Sequence, residues 1–208
     1  HLVDYLILNG ENVLCIDNLS SGNLNNLGHL KKNDKFSFIK HDILNPLTSS
    51  IFIEKIWHLA CPASPIAYQD DPLKTMRINF EGTLNILNLA KKYNSKILFT
   101  STSEIYGKTK NNPQSEYMPI NLNTFSPRAC YSEGKRIAET LISTFRDSYN
   151  LDVKIARVFN TYGPRLDLND GRVIGNFIKQ SCSNKKLTIY GDGSQTRSFC
   201  YVSDLIEG

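Results

Sequence analysis

Lys96-Ile97-Leu98-Phe99-Thr100-Ser101-Thr102-Ser103-Glu104 reads as a short buried strand that runs without a break into a turn of hydroxyls and a carboxylate. Apolar runs of this length, rich in Ile, Leu and Phe, suit a strand covered on both faces, as in a parallel sheet. Further runs of the same kind stand on either side, at 13–17, 36–39, 56–60 and 153–158. Between them lie amphipathic stretches at 2–9, 72–93 and 127–149. Pro72 and Pro127 occupy positions where a helix start tolerates proline, after Asp71 and Ser126 as candidate caps. Strand–helix alternation predicts an α/β fold, a doubly wound parallel sheet of Rossmann type. Ligands of such sheets bind beyond the carboxyl ends of the strands, so the residues that follow each strand carry the interest.

The pattern changes near residue 161. Tyr162-Gly163-Pro164-Arg165 and Asn169-Asp170-Gly171-Arg172 are turn chemistry, followed by an amphipathic stretch at 173–183, then 187–190, the turn Gly191-Asp192-Gly193, and 197–202. The expected division is a nucleotide-binding domain over 1–160 and the beginning of a smaller, loop-rich substrate-binding region over 161–208. The chain opens inside a helical pattern, without the strand and Gly-rich loop that normally precede the first helix of such a sheet, and stops at Gly208 where another helix is due to begin. The sequence reads as part of a longer protein.

Composition narrows the class. The 208 residues are 40% hydrophobic and 21% charged, with a net charge of +4, ordinary for a globular protein in water. Pairs such as Lys31-Lys32 and Lys185-Lys186 read as solvated faces, so no nucleic-acid partner is expected. No run reaches the ~18 apolar residues of a membrane span. Five scattered cysteines without a C-x-x-C predict reduced thiols and a cytoplasmic compartment. His58 and Cys61 have a metal-compatible spacing, but no second pair completes four ligands, and no metal is predicted. Trp57 and Phe80 read as core.

The chemistry concentrates in Tyr131-Ser132-Glu133-Gly134-Lys135. Four residues apart on a helix, Tyr131 and Lys135 share a face, and a nearby ammonium is expected to lower the phenol pKa toward use as a proton acceptor. Thr102 and Glu104, emerging at a strand's carboxyl end, add a hydrogen-bonding hydroxyl and a candidate base. Asp17, with Asn18 after it, ends a strand where a carboxylate can bind an adenosine ribose and repel a 2′-phosphate, which favours NAD over NADP. Asp42 follows the next strand, placed for an adenine edge.

Several motifs together resemble the UDP-glucuronate decarboxylases (UDP-xylose synthases) of the extended short-chain dehydrogenases. They are His58-Leu59-Ala60-Cys61-Pro62-Ala63-Ser64-Pro65, Thr100 to Gly107, Cys130 to Arg136, Arg157-Val158-Phe159-Asn160-Thr161-Tyr162-Gly163-Pro164-Arg165, Asp170-Gly171-Arg172-Val173 and Gln195 to Val202. The resemblance implies oxidation of UDP-glucuronate at C4 by NAD, loss of carbon dioxide from the 4-keto acid, and reduction back to UDP-xylose. It implies Thr102, Glu104, Tyr131 and Lys135 as catalytic. It places Asp17, Asn18, Leu19, Ser21, Gly22, Asp42, Ile43, Leu59, Ala60, Tyr131 and Lys135 at NAD. Around the substrate it puts Pro62, Ala63, Tyr68, Ser103, Asn160, Arg165, Arg172, Tyr190 and Arg197. It also implies a homodimer through a four-helix interface, for which the apolar Ile86, Leu87, Leu89, Ile137, Leu141 and Ile142 are candidates. The related dTDP-glucose 4,6-dehydratases carry Asp where Ser103 stands, and UDP-galactose 4-epimerases usually lack the Glu. Another 4-keto nucleotide-sugar enzyme, or an inactive nucleotide-sugar-binding piece, stays open at this point.

Overall fold

The computed structural model describes residues 1–48, 51–109 and 113–208. The chain divides into two compact units: His1–Asp42 with Ser64–Ile66 and Phe159–Gly208, and Ile43–Ala63 with Ala67–Val158. Every strand pairing is parallel, and helices provide the long crossovers that parallel strands require. Among the described residues, no helix is long and apolar enough to cross a membrane.

In the second unit, β3 (Lys55–His58), β4 (Lys96–Thr102) and β5 (Val153–Val158) form one sheet in that order. The chain reaches β4 through α2 (Pro65–Asp70), α3 (Pro72–Arg77) and α4 (Thr83–Tyr93), and reaches β5 through α5 (Ala129–Tyr149). The core forms where Ile97 and Phe99 of β4 meet Leu87 and Ala90 of α4 and Ala138 and Ile142 of α5, all buried. Asp71 caps α3 as expected, its Oδ1 accepting from the Lys74 amide at 2.9 Å.

The stretch 72–93, expected as one helix, is three. Between α3 and α4 the backbone widens into a π turn, Ile78–Gly82. At that turn Asn79 is buried, and its Nδ2 donates to the Thr75 carbonyl at 2.9 Å and to Cys61 Sγ at 3.2 Å. The contact with Cys61 is tertiary and leaves no periodic mark in the sequence. At the start of α5, Ser126 accepts from the Arg128 amide at 3.3 Å, but the helix begins only at Ala129. Ser126 therefore shapes the preceding turn, and Arg128 stands at the helix cap. Phe80, read as core, is 41% exposed, and Trp57 is half-buried.

In the first unit, α1 (Leu2–Leu8) leads into β1 (Val13–Asp17), which pairs with β2 (Phe36–Lys40) from Val13↔Phe36 to Asp17↔Lys40. A second pair joins β6 (Asn160–Tyr162) to β7 (Phe199–Tyr201), with α6 (Val173–Cys182) between them in sequence. The strand β6 was hidden inside what reads as turn chemistry. The helix expected to begin at Gly208 is already formed as α7 (Val202–Glu207).

His58, at the end of β3, is 4% exposed, and its Nε2 lies 3.0 Å from Thr83 Oγ1. Burial, with the Lys135 charge as a lesser cause, lowers its pKa from 6.5 to about 3. The folded state therefore holds His58 neutral. Its contribution is complete above pH 6.5 and is lost as pH falls toward about 3, at about 1.4 kcal/mol per pH unit. Urea unfolding followed by Trp57 fluorescence is expected to weaken from pH 6.5 to 4 more steeply in the wild type than in His58→Gln. Equal slopes would show that His58 is not buried neutral.

Candidate active site

The strand β4 delivers Thr102 and Glu104 to one place because Thr102 ends the strand and caps the 3₁₀ turn Ser103–Tyr106, its Oγ1 accepting from the Glu104 amide at 3.2 Å. Gly107 closes that turn with φ +66°, and a Cβ there would lie 1.7 Å from the Asn121 carbonyl oxygen. Only glycine satisfies both conditions.

Helix α5 brings the other two expected catalytic residues. Tyr131 is 6% exposed, and its phenol lies close enough to the Thr102 side chain for that hydroxyl to pull its pKa down. Its ring stacks on that of Tyr68 from α2, with centroids 4.8 Å apart and planes 5° from parallel. Tyr68 is fully buried and its hydroxyl has no hydrogen-bond partner, a costly arrangement. Its pKa rises to about 12, mainly through burial, with the Glu104 carboxylate adding to the rise. Glu104 itself is pushed up by burial, against the pull of Arg128, whose Nη1 lies 3.4 Å from Oε1.

Lys135 is 3% exposed; Nζ donates to the Thr100 carbonyl at 2.8 Å and lies 4.6 Å from the centre of the Phe99 ring. Burial lowers its pKa. An ammonium has three protons to donate, and the Thr100 bond takes one, leaving capacity for ribose hydroxyls. Its expected effect on Tyr131 needs correction. Burial dominates the phenol and raises its pKa, Thr102 opposes the rise, and the leading influences do not include Lys135. The hydrogen bond that the lysine makes is to the strand backbone.

The same unit holds Leu59, Ala60 and Ala63 exposed, Pro62 and Ser103 partly buried, and Ile43 buried against Ile78 and Ile86. Cys61 lies beneath, its thiol pKa raised by burial. Gly134, on the face of α5 that meets Asn79, leaves room that a Cβ would fill, 2.9 Å from Asn79 Nδ2. Arg128 and Asn79 escaped sequence reasoning. The only hint of Arg128 is its position one turn before Tyr131.

The first unit holds the other expected residues. Asp17 ends β1 with Oδ1 accepting from the Leu19 amide at 2.6 Å, Leu19 has φ +62°, and Gly22 packs against the Asp17 carboxylate. Asn18 donates to Asp42 at 3.0 Å, and Ser21 and Gly22 are exposed. The tight turn after β1 thus presents a carboxylate to solvent, as a ribose-binding position requires. Arg165 pairs with Asp4 at 2.6 Å and donates to the Asn26 carbonyl at 3.2 Å, and Arg172 pairs with Asp170. These two guanidiniums are engaged within the protein. Arg197 is exposed and bonds the adjacent Thr196 carbonyl, Asn160 donates to the Ser198 carbonyl, and Tyr190 is 73% exposed.

With the Tyr131 phenol held up by burial, its proton is expected to stay on well above neutral pH. Difference-spectrophotometric titration of the wild type against Tyr131→Phe checks this; a phenolate signal from Tyr131 at neutral pH would contradict it.

Three similarities bear on this arrangement. The chain is 50% identical over all 208 residues to UDP-glucuronic acid decarboxylase 1 of Arabidopsis thaliana, of which it covers 47%. It therefore spans about half the length of this curated relative. Among solved structures, it matches a UDP-N-acetylglucosamine 4-epimerase from Methanobrevibacter ruminantium at 33% identity and TM-score 0.90, covering 100% of this chain and 66% of that one. It also matches a UDP-glucuronic acid 4-epimerase from Bacillus cereus, solved with UDP-glucuronic acid and NAD, at 30% identity and TM-score 0.84, covering 99% and 66%. These establish the Rossmann-type α/β fold. The model of the NAD-dependent epimerase/dehydratase family matches residues 1–208, and the chain belongs to that family.

Proposed function

We propose that the protein of which this chain forms part converts UDP-glucuronate to UDP-xylose and carbon dioxide. The observation that carries the reading is the group formed by Thr102, Glu104, Tyr131 and the unpartnered Tyr68 hydroxyl, with Ser103 between the first two. Identity of 50% to a UDP-glucuronic acid decarboxylase supports it. NAD, when bound, supplies oxidation and re-reduction at a sugar carbon. In this reading the positive charge that bound NAD would bring beside the phenol would offset the burial that holds the proton on Tyr131 in the ligand-free protein. Tyr131 can then take the proton of the sugar C4 hydroxyl, which Thr102 holds by hydrogen bond. Lys135 binds the nicotinamide ribose with its remaining donors. Glu104 orients the sugar or serves as base.

The C4 ketone makes the C5 carboxylate a β-keto acid. The C5–carboxylate bond breaks, carbon dioxide leaves, and the bonding electrons pass to the ketone oxygen. A proton then adds at C5, so the carboxylate is replaced by hydrogen with no net redox change. Ser103 stands where a dehydratase needs an acid, which disfavours loss of water in place of carbon dioxide.

Asp17, Asn18, Leu19, Ser21, Gly22 and Asp42 would hold the adenosine side of NAD, and Ile43, Leu59 and Ala60 its remainder. Pro62, Ala63, Tyr68, Ser103, Asn160, Tyr190 and Arg197 would meet the nucleotide sugar. Arg165 and Arg172 would have to exchange their aspartate partners for phosphate. The functional division would run from 1–160 for the nucleotide to 161 onward for the substrate. A homodimer through α3–α4 and α5 is part of the reading. Ile86, Leu87, Leu89 and Ile142, first considered for that interface, are buried in the unit's own core. The exposed Leu73, Met76, Phe80 and Ile137 offer the apolar surface instead. A cytoplasmic location completes the proposal.

The full-length protein supplied with NAD and UDP-glucuronate is expected to release carbon dioxide and form UDP-xylose. Tyr131→Phe should lower the rate at least ~100-fold. An unchanged sugar acid, an epimer, or release of water in place of carbon dioxide would refute the assignment.

A further inference from the structure

The reaction proposed above gives no task to Arg157, a charged residue only 21% exposed on β5, next to Ser101 of β4. Its fork donates through Nε and Nη2 to both carboxylate oxygens of Glu139, at 3.1 and 2.8 Å. Through Nη1 it donates to the Tyr106 hydroxyl at 3.1 Å and to the Glu116 carbonyl at 3.0 Å. Its Cζ lies 5.0 Å from the centre of the Tyr106 ring. One side chain thus ties together α5, the Ser103–Tyr106 turn and the segment that leads to Arg128.

Each of these stretches carries part of the proposed site. Tyr106 is in the same single turn as Glu104 and is 3% exposed. Glu139 is on the same helix as Tyr131. Glu116 precedes Arg128, the ion-pair partner of Glu104. The turn is closed on its far side by the Asn121 amide, which donates to the Tyr106 carbonyl at 3.3 Å, and by the Gly107 contact described above. Arginine suits the task because its planar fork fixes direction as well as charge, whereas a lysine fixes only a point. If the pair served merely to hold β5 against α5, the two bonds to Glu139 would suffice. The bond to the Tyr106 hydroxyl reaches past that need, to the turn that bears Glu104.

We infer that Arg157 is a positioning residue that sets Glu104 against Tyr131 by joining the turn of one to the helix of the other. The inference rests on the reading of Glu104 and Tyr131 as the reacting groups. Its sharpest test is Tyr106→Phe in the full-length protein, which keeps the buried ring and deletes one hydrogen bond; Arg157→Lys keeps the charge and deletes the fork. Glu104 is faced by Arg128 from the N-terminal cap of α5, Tyr68 from α2 and Tyr131 from α5. Its carboxyl can be titrated by carbon-13 NMR, with Glu104→Gln to assign the signal.

In Tyr106→Phe the Glu104 titration is expected to move down toward the ordinary glutamate range as water reaches the loosened turn. The kcat for UDP-glucuronate should fall about tenfold, with KM changed little. A Glu104 titration and kcat identical to wild type would overturn the inference, even if Arg157→Lys fails to fold. A wild-type protein that releases no carbon dioxide would instead refute the decarboxylase reading, and the Glu104 titration would still decide the role of Arg157.

Discussion

The second unit is organised around a buried charge. Lys135 lies in the core between α5 and β4, and the hydrogen bond from its ammonium to the Thr100 carbonyl compensates for lost hydration. Burying an ammonium costs several kcal/mol unless it is well bonded, so the helix must sit where Nζ meets that carbonyl. Once it does, Tyr131 one turn earlier comes to Thr102 at the end of the same strand, and its ring is placed for stacking on Tyr68. The core of Phe99, Ala138 and Ile142 forms along the same contact.

That constraint explains why the site is held in tension. Three groups with raised pKa values, Tyr68, Tyr131 and Glu104, share a space from which water is largely excluded. Each remains protonated more readily than it would in water, and the Tyr68 hydroxyl has nothing to bond. A hydrogen-bonding group brought to the Tyr68 hydroxyl would satisfy it. Burial thus acts as an electrostatic preorganisation whose full effect waits for the ligand.

Much of the fold could be read from the chain. The strands at 13–17 and 153–158 end where expected, and Asp71 caps its helix, because apolar runs and caps are local signals. The π turn at Asn79 could not be read, since the bond from Asn79 to Cys61 that accompanies it is a tertiary contact without a periodic mark. The late start of α5 was hidden because Ser126 and Pro127 imitate a helix entry while bonding into a turn. Ile86, Leu87, Leu89 and Ile142 lie in the unit's own core, because an apolar residue on a helix reads the same whether it meets its own sheet or a partner. The site residues were legible as residue types. The direction in which Lys135 points was not, because spacing fixes a face of a helix but not the partner that a flexible side chain selects.

The proposed reaction places oxidation and reduction at one sugar carbon beside Tyr131, with carbon dioxide lost between. Its decisive measurement follows UDP-glucuronate labelled with deuterium at C4 through the full-length protein. The expected product is UDP-xylose that keeps the deuterium at C4, because the hydrogen removed there is the one returned. Product that has lost the label to solvent, or a labelled sugar acid that survives unchanged, would contradict it.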